Sequence, residues 1–110
     1  MISDYQEKFN TCVTKLKELG DLYSEAKSKS WYSQELKHSV LASIMNKLEG
    51  SLSQRENLAR ASEDYKAYLA ETRDDIRAEL KLRAAYERQK FIFEGLRSMC
   101  ALERSTKDLE

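Results

Sequence analysis

Seven residues near the N-terminus constrain the fold more than anything else in this chain. Tyr5, Phe9, Cys12, Leu16, Leu19, Tyr23 and Ala26 follow one another at steps of 4, 3, 4, 3, 4 and 3. That spacing places every one of them on a single narrow stripe of an α-helix, the a/d seam of a coiled coil. Ser3 precedes Gln6 by three positions, the spacing of a capping box, and so marks the helix start. Gly20 falls inside the stripe and costs about 1 kcal/mol relative to alanine, which the seam can carry. The chain has no proline, three glycines and 35% charged residues, a balance that suits long helices.

The stretch KSKSWYS, residues 27–33, interrupts the stripe. Serine hydroxyls compete for nearby backbone groups, so a turn is predicted at 28–32, with Trp31 and Tyr32 at a hairpin tip or packed back on helix 1. The predicted organisation is one domain over 1–110. It has a helix over about 4–27, the turn, and helical chain over 33–106, with a possible break at 50–53. Leu41, Ile44, Leu48, Ser51, Arg55, Leu58, Ser62, Tyr65, Leu69, Thr72 and Ile76 keep one alternating register across Gly50. The unbroken phase favours a continuous helix there, because a reversal usually resets it. Ser53 with Glu56 is the competing signal, a second capping box.

A helix 1 of about 25 residues is roughly 37 Å long, against roughly 110 Å for a continuous partner of about 75 residues. An exposed apolar seam is unfavourable. The expected fold is therefore all-α. It is an elongated helical hairpin or coiled coil, with a short N-terminal helix on one very long or two consecutive helices. It forms a homo-oligomer unless the chain folds back into a three-helix bundle. The seam offered to an oligomer or a partner is Leu58, Tyr65, Leu69, Ile76, Leu82, Tyr86, Phe93, Leu96 and Cys100.

Arg83, Lys90, Arg97 and Arg104 lie seven apart and form one basic row on a helix. They continue the line that holds Leu69 and Ile76 upstream, while Leu82 and Leu96 take over its apolar role. One reading is a phosphate-tracking strip with Tyr86 and Phe93 as stacking platforms. The other is a coiled-coil flank neutralised by ion pairs of Glu79 and Glu87 with Arg83, and of Lys90 with Glu94. Arg73, Arg77, Lys81 and Arg88 make a second basic face, read as solvated. Lys plus Arg equals Asp plus Glu at 19 each, so no global attraction to nucleic acid or anionic lipid is expected.

Catalysis is not indicated. His38 is the single histidine and has no nucleophile or second ligand at useful spacing. Glu71, Asp74 and Asp75 lack the glycine and alternating oxygens of a calcium loop. No glycine-rich phosphate loop is present. No cofactor, metal or small-molecule substrate is expected. Cys12 and Cys100 both fall on apolar stripes as free thiols, which suits a reduced cytoplasmic setting. No apolar run is long enough for a membrane span, and MISDYQEKFN is too polar for a signal peptide.

ARASEDYKAYL (residues 59–69) and FEGLRSMCALER (residues 93–104) resemble small helical bacteriophage proteins of recombination and replication gene clusters, similar to the recombination mediator UvsY. The matching features are an alanine-rich helix with S-x-x-Y, then Arg97, Ser98, Ala101, Glu103 and Arg104. The resemblance implies a non-enzymatic oligomer that binds single-stranded DNA and helps to load a recombinase. Arg83, Lys90, Arg97 and Arg104 would then be the DNA contacts. The alternative is a structural adaptor or scaffold that binds protein partners without nucleic acid.

Overall fold

A computed structural model describes residues 3–109 and is all-α. Four helices follow in order: α1 (Asp4–Glu35), α2 (Lys37–Met45), α3 (Leu52–Arg60) and α4 (Glu63–Leu109). The chain forms two compact units. One holds Met1–Ser24 with Leu80–Glu110, and the other holds Glu25–Glu79. Helices α1 and α4 contribute to both.

The start of α1 follows the sequence signal. The Ser3 hydroxyl accepts the Gln6 N–H at 3.1 Å, and Asp4 and Glu7 sit in the first turn, where the helix dipole favours acids. In the first unit α1 and α4 pack antiparallel through the predicted stripe. Phe9 meets Phe93 with ring centroids 5.2 Å apart, and Tyr23 meets Tyr86 at 5.9 Å. Between them the Gln89 amide donates to the buried Cys12 sulfur at 3.1 Å. At the open end the Ser3 hydroxyl donates to the Glu103 carboxylate at 3.0 Å. Gly20 earns its place in α1, since a Cβ there would come within 3.3 Å of the Tyr86 ring.

The second unit corrects two expectations. The turn predicted at 28–32 is absent, and α1 continues to Glu35. Ser30 and Ser33 occupy the next two stripe positions after Ala26, again at steps of 4 and 3. Ser30 is completely buried, and the Ser33 hydroxyl donates to the Asp75 carboxylate at 2.6 Å. Tertiary packing of a small side chain outweighs a weak local turn preference when neither glycine nor proline forces a break. Leu36 only dents the path. Its N–H bonds the Tyr32 carbonyl and its carbonyl accepts from Val40, so helical bonding runs past it.

The reversal comes instead at Gly50, where continuity was the favoured reading. Gly50 has φ of +119°, a conformation that side chains oppose. Ser51 is extended and caps α3 in a reciprocal box with Gln54, two residues before the box read at Ser53 and Glu56. Glu56 instead pairs with Arg60 at 2.9 Å and raises the guanidinium pKa further above its ordinary value. Ser62 then starts α4, accepting the Tyr65 N–H at 3.2 Å. The helices enclose a small core of Leu41, Ala59 and Tyr65, with Ile44, Leu48 and Tyr68 against it.

The seam of α4 also differs from the predicted one. Its inward positions run from Tyr65 through Tyr68, Thr72, Asp75, Glu79, Leu82, Tyr86, Gln89, Phe93, Leu96 and Cys100 to Glu103, alternating by 3 and 4, and all are buried or half-buried. Leu69 is 43% exposed and Leu58 is 56% exposed, while Ala59 takes the buried place beside Leu58. Ile76 is half-buried beside the inward Asp75. No exchange of columns occurs near residue 83, because Leu82 and Leu96 belong to the same line as Tyr68 and Asp75. Helix α1 meets this line from Tyr68 to Glu103, and Leu41 and Ala59 of α2 and α3 cover Tyr65, so among the described residues the long uncovered seam that motivated an oligomer is not present.

Candidate nucleic-acid interface

Each residue of the basic row follows a seam position of α4: Arg83 after Leu82, Lys90 after Gln89, Arg97 after Leu96 and Arg104 after Glu103. One residue is about 100° of helix, and seven residues rise about 10.5 Å, so the four side chains repeat along one flank of the first unit. All four are exposed. The fold brings them together as a row because the seam beside them is regular.

The neutralising pairs differ from those expected. Lys90 pairs with Glu87 at 3.8 Å and Arg97 with Glu94 at 3.0 Å, both three residues apart rather than four. The side chains in these pairs are half or more exposed, and such pairs contribute at most about 1 kcal/mol. They leave the cations available to a phosphate. Among the described residues, Arg83 and Arg104 make no ion pair. Glu79, the expected partner of Arg83, is half-buried in the seam instead.

The predicted stacking residues are not available. Tyr86 and Phe93 pack on Tyr23 and Phe9, and Tyr86 further carries the Lys90 ammonium 5.5 Å from its ring centroid. The free aromatic beside the row is Phe91, 82% exposed. With Leu16, Tyr86, Lys90, Phe93 and the carboxylates of Glu87 and Glu94 it borders an open groove of about 400 Å³. Phe91 lies outside the seam spacing, and a large apolar residue off the stripe was the available signal. The second basic face (Arg73, Arg77, Lys81 and Arg88) is exposed throughout, and Arg73 pairs with Asp74 at 3.8 Å.

Trp31 and Tyr32 neither cap a hairpin tip nor pack back. They stand near the C-terminal end of α1 and are 63% and 60% exposed. Among the described residues no group of three or more His, Cys, Asp or Glu is placed to hold a metal. No described helix is long and apolar enough to cross a membrane. Comparison with known proteins finds no matching family model, no matching curated protein and no matching solved structure.

Proposed function

We propose that this protein is a non-enzymatic helical accessory factor that binds single-stranded nucleic acid along Arg83, Lys90, Arg97 and Arg104, in the manner of a recombination mediator that also engages a recombinase. The observation that carries the reading is the row itself: four exposed cations at seven-residue spacing on one flank, two of them without an acidic partner among the described residues. Phe91, next to Lys90, supplies an exposed ring for a base. Phosphate contacts provide affinity, and a stacked ring tolerates any base, which suits a factor that follows strands without reading sequence.

The test is anisotropy of a labelled single-stranded oligonucleotide at low and moderate salt. Four phosphate contacts correspond to a log–log salt slope of about −3 for a single strand. Lys90→Glu with Arg97→Glu should abolish binding, keep the fold helical and lower melting only by the small loss of two exposed ion pairs. Absence of wild-type binding even at low salt defeats the proposal.

Exposed apolar residues favour one second reading, a helical adaptor or homo-oligomer. Leu52, Leu58, Leu69 and Phe91 all face solvent. On that reading a partner helix lies along the Leu69 and Ile76 line. Sedimentation would then show a mass above one chain that falls to one chain in Ile76→Asp, which puts an unpaired charge in the contact.

A further inference from the structure

We infer that Trp31, Tyr32 and Lys27 form a second strand-contact site, on the outer face of α1 in the Glu25–Glu79 unit, where an unpaired nucleobase stacks on Trp31 while its phosphate meets Lys27. The inference rests on the proposed function and adds a site to it. Residues 27, 28, 31 and 32 are spaced so that they share one face across a turn of helix. Lys27, Ser28, Trp31 and Tyr32 alone line an open apolar groove of about 490 Å³.

Three features point to this occupant. The two rings are adjacent and both well over half exposed, although α1 buries Ser30 completely beside them. In this unit the helix thus packs through Ser30 and Ser33 and leaves Trp31 and Tyr32 facing outward. Two adjacent exposed rings on one helix face make a contiguous apolar patch, the kind of surface that marks a contact. The charge is also one-sided. Lys27 makes no ion pair among the described residues, and no carboxylate lines the groove. An ammonium beside exposed rings complements an anionic ligand that carries flat π-faces, and a nucleotide strand combines both. A cationic or neutral peptide gains nothing from Lys27.

Trp31 is the only tryptophan of the chain, so its emission reports on this groove alone. The full-length protein is titrated with a labelled oligothymidylate, recording label anisotropy and tryptophan emission together. The expected result is quenching with the same midpoint as the anisotropy. Trp31→Ala should weaken binding between about fivefold and about a hundredfold, the range for loss of one base stack. Trp31→Phe should restore most of it, and Lys27→Gln should reduce the salt dependence. Both positions are exposed, so helicity and melting should stay at the wild-type values.

Anisotropy that rises while Trp31 emission and Trp31→Ala affinity stay unchanged overturns this site and leaves the proposed function standing. No anisotropy change in the wild type removes both. Equal quenching by an abasic strand overturns the stacking assignment. Quenching by a proline-rich peptide but not by the oligonucleotide makes the groove a peptide site and overturns it as well.

Discussion

The two units use one geometry and two chemistries. Both pack α1 antiparallel on α4 with inward positions alternating by 3 and 4. In the first unit those positions meet through rings and aliphatics, Phe9 with Phe93 and Tyr23 with Tyr86, and the Cys12–Gln89 and Ser3–Glu103 contacts are the polar exceptions. In the second the α1–α4 contact is polar. Ser33 and Lys29 converge on the buried Asp75 at 2.6 and 3.4 Å, and the Tyr68 hydroxyl donates to the Ser33 carbonyl. Its apolar core lies elsewhere, where α2 and α3 bring Leu41 and Ala59 onto Tyr65. Apolar packing tolerates exchange of side chains of similar volume, whereas a buried polar contact requires particular partners. The same helical spacing can therefore be held by bulk in one place and by specific hydrogen bonds in another.

Substitutions can break or sharpen that contrast. The largest effect is expected where the apolar cluster of the second unit meets α4. Tyr65→Ala should cost about 3–5 kcal/mol, because a buried ring leaves a cavity. Thermal unfolding gives the loss, and hydrogen exchange should show it concentrated in α2 and α3. Uniform loss of protection across residues 3–24 and 80–109 would contradict separate cores.

Next, Asp75→Leu should cost about 2–3 kcal/mol, since the Ser33 hydroxyl loses its acceptor inside the fold. Gln89→Leu in the other unit should be nearly neutral. It replaces a polar group in an apolar seam and leaves only a weakly bonding thiol behind. Equal denaturation midpoints for the two variants would remove the distinction between the seams. A loss smaller than those at Tyr65 and Asp75 is expected in the connection between α2 and α3. Gly50→Ala should cost about 1–2 kcal/mol from its backbone conformation, with a Cβ only 2.7 Å from the Gln54 amide oxygen that closes the capping box. Urea unfolding of this variant with an unchanged midpoint would place the strain elsewhere.

Much of the first unit was legible in the sequence, because Phe9, Leu16, Leu19 and Tyr23, with the small Cys12 among them, marked the inward positions at helical spacing. The line through Tyr65, Thr72, Glu79, Tyr86, Phe93 and Cys100 was legible too. Its companion was not. Tyr68 and Asp75 compete with Leu69 and Ile76 for the same spacing, and apolarity selects the wrong pair. The inward choice depends on what α1 presents, and there it presents Ser33 and Lys29, which need a carboxylate rather than a methyl group. The candidate site divides similarly. The sequence spacing alone established that Arg83, Lys90, Arg97 and Arg104 form a row. That Tyr86 and Phe93 are consumed by the core while Phe91 and Trp31 remain free could not be read from spacing.

The sequence by itself determined that the chain is helical, where α1 begins, and which side chains recur at the period of a helix. Those properties are local: backbone preference, capping distance and periodicity act within a few residues. The tertiary structure alone decided that the serine stretch stays helical, that the chain turns at Gly50, and that Asp75 faces inward. Each of these depends on a partner distant in the chain. Small serines gain from burial against α4, a carboxylate gains from a hydroxyl 42 residues away, and a reversal is favoured once it brings Leu41 onto Tyr65.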